Sequence, residues 1–147
     1  METASRKKRE PLLVDVPWLR ARLDDPSLRL VDLRGGSSHR AGHLPGAVAL
    51  AWESLVDPVD GSVVGAPVFA GTMSAIGIGD DHLVVAYEQH EPVEALSFVY
   101  ALRRYGHARA FALSGGAVSW IAAGQRLSRG PSRAVPASFT ARLAGVS

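Results

Sequence analysis

A chain of 147 residues with 47% hydrophobic and 20% charged residues suits one soluble domain with its own core. The absence of cysteine excludes disulfides, cysteine-ligated zinc and thiol catalysis. The net charge of +2 is local: of sixteen basic and fourteen acidic residues, residues 1–10 hold four and two, leaving a body balanced at twelve each.

Residues 1–10, with Arg6-Lys7-Lys8-Arg9, read as a disordered, solubilising basic tail rather than a nucleic-acid or membrane contact. No long apolar segment follows it, so no secretory signal is expected, and no run approaches a membrane span. The expected location is the cytoplasm.

The first predicted element is a helix from Val14 to Leu23, with Asp15 as N-cap ahead of Pro17 and with Leu13, Val16, Trp18, Leu19 and Leu23 on one face. Leu28 to Leu33 reads as an apolar strand, Gly35 to Ser38 as a loop, and Ala41 to Ala47 as a turn-rich segment before a short strand, Val48 to Ala51. Pro58, Gly61, Gly65 and Pro67 mark an irregular loop. A helix is predicted over Val68 to Ile76 and a buried strand over Leu83 to Tyr87. The strongest helical period runs from Val93 to Tyr105, where Ala95, Phe98, Val99, Leu102 and Tyr105 form one stripe and Gly106 caps the end. Ala110 to Leu113 is a further strand and Ala117 to Ala123 a short helix. From Ser128, prolines and serines predict a linker-like tail, which bounds a domain of residues 11–127.

Strands that alternate with helices require crossovers, so the expected architecture is α/β: a doubly wound parallel sheet with helices on both faces. The loops after Leu33, Tyr87 and Leu113 then gather on one edge, where such folds hold ligands. That places Arg34, Gly35, the loop Glu88-Gln89-His90-Glu91-Pro92-Val93 and the turn Ser114-Gly115-Gly116 around a candidate site. Asp32 and Arg34 are read mainly as structural, a cap and a carboxylate pair. His43 is read as a scaffold hydrogen-bonding group and Trp120 as core. Gly115 and Gly116 are read as a tight turn that could admit an anion. His39 and His43 are four apart, but Gly42 and Pro45 oppose a helix there and a third ligand is lacking, so no metal site is expected. Glu88, His90, Glu91 and Glu94 are chemically dense, but nothing around them argues for paired acid–base work rather than a solvated acidic loop.

Several segments together resemble the rhodanese superfamily of sulfurtransferases. They are Trp18-Leu19, Val31-Asp32-Leu33-Arg34, Gly42-His43-Leu44-Pro45-Gly46-Ala47, Met73 to Gly77, Val84-Val85-Ala86-Tyr87, Leu102 to His107, and Ser114-Gly115-Gly116 with Trp120 and Gly124. They fall in the family's order and span Leu13 to Leu127. The resemblance implies a rhodanese-like fold and persulfide chemistry on a cysteine directly after the Val-Val-x-Tyr strand, cradled by backbone N–H groups. In this chain that position is Glu88. A carboxylate forms no persulfide, and at ~4 Å it would repel a thiosulfate anion by about 4 kcal/mol at an effective dielectric near 20. Pro92 also removes one donor from the cradle.

The match is closest to the cysteine-less first domain of tandem thiosulfate or mercaptopyruvate sulfurtransferases, including the linker-like Pro136-Ala137-Ser138-Phe139. It departs at Ser97, where those domains tend to carry arginine. The resemblance therefore implies a domain inactive alone, without a cofactor. It would be a structural or partner-binding module, or the non-catalytic half of a sulfurtransferase acting with a cysteine-bearing domain.

Overall fold

The computed structural model describes residues 12–143. Five strands form one parallel sheet. They are β1 (Leu13–Val14), β2 (Leu28–Asp32), β3 (Val48–Ala49), β4 (Leu83–Tyr87) and β5 (Ala110–Leu113), in spatial order β1-β5-β4-β2-β3. The helices are α1 (Val16–Arg20), α2 (Gly36–Ala41), α3 (Ala66–Ala75), α4 (Val93–Arg104) and α5 (Gly116–Ala122), with a 3-10 turn over Trp52–Leu55. The basic cluster of residues 6–9 lies outside the described residues.

Strand alternation sorts the core into two layers. Val31, Val84, Ala86, Ala110 and Ala112 face one way, against Phe69 and Met73 of α3 and Phe98 and Leu102 of α4. Leu30, Val85, Tyr87 and Leu113 face the other, against Leu19 of α1 and Trp120 of α5. β4 lies at the centre and is buried throughout. The sheet is thus covered by helices on both faces, as expected. β2 and β4 are neighbours, but the chain leaves β2 toward β3 and leaves β4 toward β5. The two departing loops diverge and leave a crevice between them at the carboxyl edge, the topological switch point.

Four elements differ from the sequence reading. Leu13 and Val14 form an edge strand rather than the start of a helix: Ala112 N–H donates to Leu12 O at 2.8 Å, and Ser114 N–H to Val14 O at 2.8 Å. The helix begins after Asp15, whose carboxylate caps Trp18 N–H at 2.9 Å. The segment expected as a loop at Gly35 to Ser38 instead leads into α2. Gly35, at φ 107°, turns the chain, and His39 N–H closes the first helical turn on Gly35 O. β3 stops at Ala49, ahead of the 3-10 turn.

Residues 128–143 contain no helix or strand, yet they are fastened to the domain along their length. His43 and Ser128 exchange two backbone hydrogen bonds of 2.8 and 2.7 Å. Further along, Ala137 N–H donates to Ser74 O, Phe139 N–H to Ser74 Oγ, and Arg142 N–H to Tyr105 O. Phe139 is buried between Phe69, at 5.8 Å, and His107, at 5.5 Å. Phe139→Ala should lower stability by about 3 kcal/mol in urea unfolding; an unchanged midpoint would show that this strap does not contribute to the core.

A candidate site at the switch point

The crevice is built on one buried charge. Asp32, fully buried at the end of β2, accepts from Arg34 twice, from Nε at 3.0 Å and Nη2 at 2.8 Å. It also accepts from Arg34 N–H, from the Tyr87 hydroxyl at 3.0 Å, and lies 2.9 Å from His39 Nδ1. Burial pushes this carboxyl up, but the Arg34 and His39 hydrogen bonds outweigh that and hold it below the usual carboxylate range. Burial, then the Asp32 charge, pushes the Tyr87 phenol up. The bidentate pair with Asp32 likewise raises Arg34 above its ordinary value.

The network extends outward. Arg34 Nη2 also donates to Gly42 O, and Nη1 reaches Gln89 Oε1 at 3.3 Å. Tyr87 Oη accepts from Leu44 N–H at 3.0 Å. His39 Nε2 meets Ser132 Oγ at 2.7 Å, and His39 stacks on His43 with ring centroids 4.1 Å apart. His43 Nδ1 and Nε2 face Leu44 O and Gly130 O at 2.9 and 3.1 Å. Every one of these polar groups is engaged within the fold. Among the described residues, no group of three or more histidine, aspartate or glutamate side chains is arranged to hold a metal ion.

On the other bank of the crevice, the loop after β4 folds back on its own donors. Glu88 Oε2 accepts from Ala95 N–H at 2.9 Å, across seven residues. Ala95 lies in the first turn of α4, whose N-cap residue, Pro92, offers no side-chain cap. Glu88 therefore acts as a remote N-cap, its carboxylate where a helix N-terminus favours negative charge. The first amides of α5 are also taken: Ala117 N–H donates to Glu88 O at 2.9 Å and Val118 N–H to Gln89 O at 3.0 Å. Gly115 and Gly116 make the turn at φ 77° and 55°, and a Cβ on Gly116 would stand 2.2 Å from Glu88 O. This contact requires glycine.

The acidic cluster does not converge. Glu88 faces Ala95, while His90 and Glu91 form an exposed pair at 3.1 Å. Glu94 stands apart, its carboxyl raised by partial burial and by the charges of Glu88 and Glu53. Outside the loop lies a cavity of about 480 Å³, walled by Leu13, His90, Glu91, Pro92, Val93 and Leu96 and closed by Ser114-Gly115. The structure thus brings Arg34 to Gln89 and joins the loop to the Gly115-Gly116 turn. Sequence reasoning missed His39 and Tyr87 as partners of Asp32, and Leu13 and Leu96 as cavity walls. Seven and fifty-five residues separate His39 and Tyr87 from Asp32, so no local pattern linked them.

Among the described residues, no helix is long and apolar enough to cross a membrane. A family model described as "Rhodanese-like domain" matches residues 15–123. A thiosulfate sulfurtransferase of Corynebacterium glutamicum is 34% identical over 112 residues, which is 75% of this chain and 37% of that protein. The sulfur carrier protein TtuD of Thermus thermophilus is 28% identical over 118 residues, 79% of this chain and 41% of its own length. The solved structure of the 3-mercaptopyruvate sulfotransferase SseA from Escherichia coli superposes with a TM-score of 0.83 at 25% identity, over 92% of this chain and 57% of that one. The chain spans about half the length, or less, of the curated relatives it matches.

Two variants test this geometry. Asp32→Asn should cost about 3–5 kcal/mol, because it leaves the nearly buried Arg34 guanidinium without its counter-charge. The folded Asp32 carboxyl is depressed, so its contribution is present above the unfolded value near 3.8 and is lost as pH falls through the lower folded value. The wild type should therefore show an acid-side loss of stability that is smaller in the variant, measured by thermal melts from pH 7 to pH 2.5. Separately, Glu88→Ala should destabilise by about 1 kcal/mol, the worth of a helix cap, and Glu88→Gln by less, since its amide oxygen still accepts. Equal losses in the two would show that the bond to Ala95 N–H carries no stability.

Proposed function

Since the chain belongs to the rhodanese-like domain family, we propose that it is a rhodanese module of the sulfurtransferase family without persulfide chemistry of its own, used as a structural or partner-binding domain. The observation that carries this reading is the self-occupied loop. Glu88 stands directly after β4, where the resemblance implies the sulfur-carrying cysteine, and its carboxylate caps α4. The α5 amides that could line an anion cradle bond to Glu88 O and Gln89 O instead. The chain also contains no cysteine at any position. A thiol cannot be replaced by another residue of this chain in a persulfide step, because no other side chain here carries a nucleophilic sulfur.

A second reading is favoured by length. The chain spans 37% of the thiosulfate sulfurtransferase of Corynebacterium glutamicum and 48% of a similar putative enzyme of Mycobacterium tuberculosis. In this reading it is the non-catalytic half of a thiosulfate or mercaptopyruvate sulfurtransferase, resembling the cysteine-less first domain, and it acts with a cysteine-bearing domain.

A thiosulfate:cyanide assay on the purified chain should give the background rate under either reading; turnover well above background would overturn both. Mixing with a cysteine-bearing sulfurtransferase domain separates them. The second reading expects higher activity or a raised melting temperature of that domain, and the first expects neither.

A further inference from the structure

Ser132, in the strap, completes a line of three hydrogen-bonded side chains. His39 Nδ1 lies 2.9 Å from Asp32 Oδ2, and His39 Nε2 lies 2.7 Å from Ser132 Oγ. Asp32 is ionised and so only accepts hydrogen bonds. His39 Nδ1 therefore donates to it, and in the neutral ring Nε2 turns a lone pair toward the Ser132 hydroxyl. A nucleophile, a base within hydrogen-bond reach and a third group that orients the base form the constellation of an activated serine. It is recognised by geometry and not by order in the chain.

The line ends at a cavity. Asp32 and His39 are buried, whereas Ser132 is partly exposed. Ser132 and His39 line a space of about 220 Å³ together with Arg40, Val48, Ile76 and Ala134. The last three also wall a second space, of about 340 Å³, whose lining includes Leu28 and Val135. Arg40 forms no ion pair among the described residues. A cation beside the reacting centre stabilises the charge that develops on a carbonyl oxygen under attack. Ser132 Oγ also contacts Ala47 O, which holds the hydroxyl at rest. The single proton has two acceptors in reach, and rotation about the Cβ–Oγ bond turns it from Ala47 O to His39 Nε2.

We propose that Ser132 is a nucleophile for acyl transfer, with His39 as its general base and Asp32 positioning His39, and that the substrate is a small carboxylic ester whose acyl group lies along Val48, Ile76 and Ala134. Ser132 Oγ attacks the carbonyl carbon while its proton passes to His39 Nε2. The ester C–O bond breaks, the alcohol leaves with that proton, and the acyl group stays on Ser132. Water then attacks the acyl carbon and gives a proton to His39. The bond to Ser132 Oγ breaks, His39 returns the proton to that oxygen, and the carboxylic acid is released. No sulfur takes part, so this activity is independent of the reading of the Glu88 loop.

The full chain is treated with a fluorophosphonate, which forms a phosphonate ester on activated serines with loss of fluoride, and the adduct is located by peptide mass spectrometry. Hydrolysis of p-nitrophenyl butyrate is followed in parallel. The adduct should sit on Ser132, and ester turnover should fall at least tenfold in Ser132→Ala. Because the chain has no cysteine, Ser132→Cys reads the same base independently. Its thiol, beside His39, should react with iodoacetamide at pH 6 at least tenfold faster than that of Ser138→Cys at an exposed position of the strap. In the Ser132→Cys background, His39→Gln should erase that difference and Asp32→Asn should reduce it. An unlabelled Ser132, ester turnover that survives Ser132→Ala, or Ser132→Cys alkylated no faster than Ser138→Cys would overturn the proposal.

Discussion

The structure depends on a carboxylate that has no access to water. Asp32 sits at the end of β2, beside the end of β4, with no exposed surface. Burying an ionised carboxylate without partners costs several kcal/mol, more than most single contacts return. Its donors come from three places: Arg34 just past the strand, His39 on α2 and Tyr87 on β4. None of these elements can shift alone without leaving a charge or a donor unpaired. Arg34 and Tyr87 then pass the constraint on to Gly42, Leu44 and Gln89. The Gly42 to Ala47 turn and the loop after β4 are far apart in sequence, yet one charge positions both.

Against that fixed frame, the loop has become self-sufficient. A helix N-terminus at a sheet edge ordinarily has spare N–H groups and a partial positive charge to offer an anion. In this chain Glu88 supplies the anion covalently, and the carbonyls of Glu88 and Gln89 take the α5 amides. The interior of the loop is thus settled within the fold.

Much of this was legible in the sequence, for physical reasons that differ by element. β4 and β5 are short apolar runs bounded by turns, and α4 carries an unbroken 3.6-residue stripe, so its end was placed within one residue. Asp32 and Arg34 read as a cap and as the partner of a carboxylate, but that they pair with each other was not legible, because Arg34 lies past the end of β2. β1 was not readable: two residues are too few for a period, and only pairing with β5 makes them a strand. α2 was hidden by its composition, Gly-Ser-Ser-His-Arg-Ala, since its one anchor is a histidine buried by a distant carboxylate. The serines and prolines after Ser128 read as a linker-like tail, and a single phenylalanine among polar neighbours gave no sign of the core position that Phe139 fills.

The strap bears on the order in which the domain can form. Its contacts reach back 93 residues from Ser132 to His39, 85 from Ser132 to Ala47 and 65 from Phe139 to Ser74. Contacts of such separation close late, because the loop entropy must be overcome before they stabilise anything. On a ribosome, the sheet and its helices can assemble once β5 and α5 have emerged, but His39, Ala47 and Phe69 wait for the strap residues that follow them. The family match ends at residue 123, whereas the fold is completed only when the strap has closed. Between those two points the nascent domain presents an open aromatic face, and that interval is when it is most vulnerable to misassociation.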